Sequence, residues 1–388
     1  MTRQAILAPR LFDGTSLEAD KAVLIEGDRI TAVLPFADVP SSFPIIRLDG
    51  ASYLAPGLVD LQVNGGGGVL FNDALDFEGL AAIAAAHRKL GTSWIQPTVI
   101  SGSTRQIAAA LDAARAAFAA RIPGVLGLHI EGPFLNPRQR GIHPPDAIRP
   151  LATADLELLT APFPGVLMLT LAPETIPRPA LSVLRKAGVI VMAGHTEATP
   201  EEIAAAQSLG LAGFTHLFNA MPPIAARAPG PAGAALADHA GFASVIVDGW
   251  HVHATSLRLA LAAKGADRLF LVSDGMPTVG SSATSFRIGE TLVSLHEGRL
   301  TASDGTLAGA HLCVAEAVRN VHRLLGIAPA DALRMATATP AACICRGNRL
   351  GIIGPGAHAD LALFDDSCAL LGTWSGGVFT AARTLVGT

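Results

Sequence analysis

Short apolar runs alternate with longer alanine-rich stretches of helical periodicity through most of this chain. The runs fall at 58–63, 93–98, 125–130, 166–171, 189–193, 213–215, 243–247 and 268–273, and they read as buried strands. Helical patterns at 77–90, 105–121, 180–187, 201–209 and 254–262 separate them. Eight strands divided by helices favour a closed (β/α)8 TIM-type barrel, class α/β, over an open doubly wound sheet.

The two ends of the chain have a different rhythm. Residues 5–48 form short alternating segments with turn signals, and Gly27-Asp28 between two apolar runs marks a β-hairpin. Similar short strands recur at 349–353 and 359–364. Neither set has enough apolar surface to stand alone, so the ends are expected to pack together. This predicts a small β-sandwich from residues 1–53 and 349–388 beside a catalytic barrel at 54–348. After the eighth strand, segments at 286–288 and 300–302 around Glu297-Gly298 predict an inserted hairpin. Helices at 312–325 and 329–338 lead back to the small unit, with Pro329 suited to a first helical position and Pro340 to a stop.

Composition narrows the classes of function. Of 388 residues, 50% are hydrophobic and 15% charged, ample for a large core. A net charge of -4 without runs of Lys or Arg lacks the footprint of a nucleic-acid binder. No run approaches the ~18 apolar residues of a membrane span. Met1-Thr2-Arg3-Gln4 opens onto alternating residues rather than a signal-type block. The expectation is a cytoplasmic protein without nucleic-acid or membrane partners. Cys313, Cys343, Cys345 and Cys368 lack zinc-finger spacing and read as buried free thiols of a reducing compartment.

The chemistry sits at strand ends. One apolar run delivers Glu131, and others deliver His195, His216 and Asp274. In a TIM-type barrel such endings converge on one face although distant in sequence. A lone strand-end His is more often structural and a lone Glu more often an Arg partner; the joint recurrence carries the argument. Glu131, His195 and His216 make a plausible His2Glu metal set with an open position for water. Asp274 can act as a proton acceptor beside it. His129 shares a side of its strand with Glu131 but lies deeper, and reads as a packed, hydrogen-bonded residue. His143, in the following loop, is a candidate oxyanion donor, and Glu174 a supporting residue. Asn219, Ala220, Arg227 and His251 follow strands and can meet a phosphate or carboxylate. His253 reads as structural. Gly65-Gly66-Gly67-Gly68 lacks P-loop and dinucleotide spacing and reads as a tight loop at the barrel mouth.

Six stretches in order resemble the N-acetylglucosamine-6-phosphate deacetylases of the amidohydrolase superfamily. They are Pro56-Gly57-Leu58-Val59-Asp60-Leu61-Gln62-Val63-Asn64-Gly65, Leu128-His129-Ile130-Glu131-Gly132-Pro133-Phe134, Ala193-Gly194-His195-Thr196, Thr215-His216-Leu217-Phe218-Asn219-Ala220-Met221, Val247-Asp248-Gly249-Trp250-His251 and Val272-Ser273-Asp274. The resemblance implies release of acetate from N-acetylglucosamine 6-phosphate, with Glu131, His195 and His216 on the metal. It implies Asp274 as general base then acid, and His143 polarising the amide carbonyl. It also implies Asn219, Ala220, Arg227 and His251 on the sugar phosphate, with Arg227 and His251 offered by the neighbouring subunit of a homodimer. Many superfamily members carry His-x-His on the first strand and hold two metals. Here Gln62 and Asn64 stand in that place, so one divalent ion per subunit is expected, zinc foremost, with iron, manganese or cobalt as alternatives. The sequence departs from the family pattern at Gly275 and Trp250, which bears on the choice of hexosamine. Another N-acylhexosamine phosphate, such as N-acetylgalactosamine 6-phosphate, a cyclic amide substrate or a non-catalytic binding protein are the alternatives.

Overall fold

In a computed structural model that describes residues 3–48, 50 and 52–382, eight parallel strands form the central sheet. In chain order they are β1 (Leu58–Val63), β2 (Thr92–Ile100), β3 (Gly127–Glu131), β4 (Val166–Leu171), β5 (Ile190–Ala193), β6 (Leu211–Phe214), β7 (Phe242–Val245) and β8 (Leu269–Leu271). Each pairs with its sequence neighbour. Parallel bridges from Val63 to Gly275 and from Gly275 to Ala310 join β1 to the segment after β8 and close the ring. Gly275 allows this approach: a Cβ there would lie 2.9 Å from Ser273 Oγ and 3.0 Å from the His87 ring. The expected (β/α)8 barrel is therefore what the chain builds.

Local signals set the helices. Phe77–Lys89 opens on Asp76, whose carboxylate accepts from the Gly79 N–H, and carries His87, Arg88 and Lys89 in its last turn. Thr104–Ala119 begins with a Ser103–Gln106 capping box. Two helices, Thr153–Thr160 and Gly230–Ala237, arise where no helix is predicted. Pro340 is not the expected stop. The helix Pro329–Ala336 breaks at Thr337, and Pro340 lies in the first turn of another helix, Ala338–Cys343, where no intrahelical N–H bond is lost.

Both chain ends join one mixed sheet, as expected, but the segment 349–353 forms turns rather than the expected strand. Strands Arg3–Phe12, Leu17–Glu26, Arg29–Pro35, Ile45–Arg47 and Tyr53–Pro56 hydrogen-bond with Leu361–Phe364, Leu370–Ser375 and Val378–Ala381. An Arg29–His358 bridge and the Ile30 N–H to Ala357 carbonyl bond curl its far edge back. Ile6, Val23, Ile25, Leu361 and Trp374 fill the enclosed core. Strand pairing carries this sheet to Pro56, past the expected boundary at residue 53.

The predicted hairpin after β8 is a three-stranded antiparallel sheet, Ser285–Ile288, Thr291–His296 and Arg299–Ala302. Its apolar face, Ile288, Val293 and Leu300, packs on Leu70, Ile100 and Met276 at the barrel mouth. Cys313, Cys343 and Cys368 are buried thiols, but Cys345 is exposed, because it lies beyond the end of Ala338–Cys343 in a left-handed turn. Among the described residues no helix is long and apolar enough to cross a membrane.

Candidate active site

A cavity of about 480 Å³ opens where the barrel strands end, within the ~300–1,000 Å³ range of small-molecule sites. Glu131 closes β3, while His195, His216 and Asp274 follow β5, β6 and β8, and all four line it. His195, His216 and Asp274 have positive φ of 51°, 32° and 49°. That conformation is costly for residues with a Cβ and persists only when surrounding bonds over-determine it. Here the Thr215 N–H to Ala193 carbonyl bond and the His216 N–H to Ser244 Oγ bond at 2.7 Å fix the turns.

Three donor atoms converge. Glu131 Oε1 lies 2.9 Å from His216 Nε2 and 3.2 Å from His195 Nε2, and the two imidazole nitrogens are 3.1 Å apart. A tetrahedral ion with ~2.05 Å bonds would set its ligands ~3.3 Å apart, so this triangle suits a zinc-sized cation. His195 Nδ1 meets the Gln139 carbonyl at 2.8 Å, so the Nδ1 proton is held there and the Nε2 lone pair faces the cluster. Burial alone would raise the Glu131 carboxyl, but contacts from His195 and His216 hold it well below the ordinary carboxylate range. Two imidazoles and a carboxylate are a borderline donor set that fits a divalent transition ion.

Gln62 and Asn64 face this cluster as hydrogen-bond donors. Gln62 Nε2 donates to Glu131 Oε1 and Asp274 Oδ1, both at 3.1 Å, and Asn64 Nδ2 donates to Asp274 Oδ1 at 2.5 Å. Burial and then the Glu131 charge raise the Asp274 carboxyl. Beneath them, burial lifts Asp60 to about 7, although it accepts from the Ser273 N–H at 3.1 Å.

His143 reaches the cavity with its Nε2 4.0 Å from Glu131 Oε2. The Ser101 N–H can only donate, and it lies 3.3 Å from His143 Nδ1, with Ser101 Oγ at 2.7 Å. Nδ1 is thus the acceptor, and the proton of the neutral ring sits on Nε2, aimed into the cavity. Burial and then the His195 ring push the imidazole down to about 3, keeping it neutral. His129 lies deeper, bonded to Thr170 Oγ1 at 2.8 Å, and burial lowers it to about 4. Glu174 ties Asn136, Thr196 and the Glu197 N–H together beside His195.

Asn219, Ala220 and His251 also line the cavity. His251 lines the cavity of its own chain because Asp248 clamps it, accepting from its Nδ1 at 2.7 Å and its N–H at 2.9 Å. Arg227 is exposed and does not line this cavity. Trp250 turns outward, 45% exposed, with the Arg299 guanidinium 5.1 Å from its ring centroid. His253 caps the helix Ala254–Lys264. The glycine run makes a small hairpin whose Gly67 and Gly68 N–H groups bond to the Val279 and Pro277 carbonyls, so neither is free for a phosphate.

The amidohydrolase family profile matches residues 53–380. The chain belongs to the amidohydrolase family. It is 38% identical over 334 residues to the N-acetylgalactosamine-6-phosphate deacetylase of Shewanella sp. (strain ANA-3), covering 86% of this chain and 84% of that one. It is 34% identical to the N-acetylglucosamine-6-phosphate deacetylase of Haemophilus influenzae, covering 91% and 93%. The crystal structure of N-acetylglucosamine-6-phosphate deacetylase from Pasteurella multocida superposes with a TM-score of 0.93 at 33% identity, covering 98% of this chain and all of that one. Family membership and the buried Glu-His-His cluster together point to a divalent metal.

Sequence reasoning missed Ser101, the Gln139 carbonyl and the 305–309 loop that also lines the cavity. Only Ser101 carries a side-chain signal, and its position just past β2 could have marked it.

Proposed function

We propose that this enzyme hydrolyses N-acetyl-D-glucosamine 6-phosphate to D-glucosamine 6-phosphate and acetate. The observation that carries the reading is the convergence of Glu131, His195 and His216 beside Asp274 and the inward-facing Nε2–H of His143. Glu131, His195 and His216 would hold one divalent ion, zinc foremost. Such an ion supplies Lewis acidity, lowering the pKa of water and polarising a carbonyl. Asp274, held by Gln62 and Asn64, takes a proton from the attacking water and returns it to the departing amine. His143 donates from Nε2 to the carbonyl oxygen as it gains negative charge. His251 and Asn219, with the Ala220 peptide, receive the phosphate. Arg227, exposed on its loop, is offered to the cavity of a second copy in a homodimer. The enzyme acts in amino-sugar catabolism in the cytoplasm.

The Shewanella relative favours a second reading, the galactosamine epimer, which differs only at one ring hydroxyl. Acetate release from both epimers, with and without the 6-phosphate, separates the readings. The proposal predicts that N-acetylglucosamine 6-phosphate has the highest kcat/KM. Preference for the galactosamine epimer would establish the alternative, and equal rates without phosphate would refute the phosphate site.

A further inference from the structure

The catalytic cavity shares a wall with a second cavity of about 590 Å³, and Ile100 and Ile142 line both. Ile100 ends β2, whereas Asn219 and Ala220 follow β6, diametrically opposite in the eight-strand ring. In a hexosamine 6-phosphate the C6 phosphate and the C2 nitrogen leave opposite sides of the sugar ring. With the phosphate at Asn219, Ala220 and His251, as proposed above, the acyl group would point toward Ile100, Ile142 and Met276 on the far side of the cavity lining.

These three side chains belong to the apolar cluster beneath the inserted sheet, with Ile288, Val293 and Leu300 behind them. The wall is firm at Ile100, which is 3% exposed. Asn72 grips its peptide from both sides, accepting its N–H at 2.9 Å and donating to its carbonyl at 3.0 Å. Ile142 is fixed through its neighbour His143, whose ring Ser101 holds. The second cavity presents Asp73, Asp146 and Glu290 against Arg140, an acidic balance that disfavours a departing carboxylate. It is space behind the wall rather than a route for acetate.

We propose that Ile100 and Ile142 form an acyl-length wall that restricts the enzyme to short N-acyl groups. The second cavity is the volume a longer acyl chain enters when the wall is cut back. This rests on the deacetylase reading, and the test separates the two. kcat/KM is measured on the metal-loaded enzyme with N-acetyl, N-propionyl and N-butyryl hexosamine 6-phosphates. One methylene in an apolar pocket is worth about 10-fold or more in discrimination. Wild type is expected to favour acetyl over propionyl by about that factor, and Ile142→Ala and Ile100→Ala to narrow the ratio by about 10-fold. Thr291→Ala, which alters the second cavity away from the wall, leaves the ratio unchanged. Poor folding lowers all rates alike and does not move the ratio, and Ile142→Val and Ile100→Val supply milder versions of the same cut. An unmoved ratio across the Ile variants, or wild type that accepts butyryl as well as acetyl, overturns the wall. Absence of acetate release by wild type overturns the deacetylase reading instead.

Discussion

Replacing Gln62 by leucine tests how the site keeps two carboxylates close together. Gln62 is 1% exposed, and its Nε2 bridges Glu131 Oε1 and Asp274 Oδ1 at 3.1 Å each. Those oxygens lie within ~6 Å of each other, where two negative charges repel by ~3 kcal/mol at an effective dielectric of ~20. A donor to a charged acceptor is worth ~1.5–3 kcal/mol. Divided between two acceptors, the loss at Asp274 is about 1 kcal/mol, equivalent to a rise of about 0.5–1 pKa unit. Burial and the Glu131 charge already raise Asp274, so the substitution pushes it further in the same direction. The acid limb of the kcat/KM profile for acetate release should move up by about 0.5–1 pH unit, while the plateau at higher pH changes less. An acid limb that stays in place would refute the role of Gln62 and, with it, the reading of Asp274 as the proton acceptor.

Asp274→Asn should retain the metal and lose about 10²–10⁴-fold in kcat; near-normal turnover would remove Asp274 from the mechanism. Ser101→Ala removes the 2.7 Å hydroxyl contact to His143 Nδ1 and leaves only the 3.3 Å backbone N–H to hold the ring, so it should lower kcat several-fold with little change in metal content; an unchanged kcat would refute the role of the hydroxyl in positioning His143. Asp155 lies outside the site, bonded to Arg149 Nη2 at 2.8 Å, Thr104 Oγ1 at 2.7 Å and the Ala152 N–H at 3.0 Å. Burial opposes its ionisation, but these partners keep its carboxyl below the ordinary value of 3.8. A depressed pKa gives stability that is present above about 4 and fades as pH falls below it, so Asp155→Asn should lower Tm at pH 7 and the gap should close in acid. A gap that widens in acid would contradict that sign.

Much of the barrel is legible in the sequence because most β-strands are largely apolar runs, and four of them, β3, β5, β6 and β8, end on or lead directly into a reactive side chain. Glu131, His195, His216 and Asp274 stand out for that reason. Ser103 and Asp76 mark helix starts through their own side chains. What escapes is carried by groups without such a signal. The Gln139 carbonyl that orients His195 is a backbone atom, common to every residue. Gly230–Ala237 is built from glycine, proline and alanine apart from Leu236, so loop-like composition hides a helix that packing stabilises. His251 is drawn inward by a three-residue loop to Asp248, a contact of turn geometry rather than of periodicity. Trp250, expected to shape the sugar pocket, instead lies under Arg299 on the outside.

The central proposal is that acetate release requires one divalent ion, held by Glu131, His195 and His216, and no second ion. Chelator-stripped enzyme titrated with zinc, with acetate release from N-acetylglucosamine 6-phosphate followed at each addition, tests it directly. Activity is expected to be lost on stripping and to return linearly to a plateau at about one ion per chain, because Gln62 and Asn64 offer amides where a second ion would need imidazoles. Full activity in the stripped enzyme, or a plateau reached only at two tightly bound ions per chain, would contradict the account.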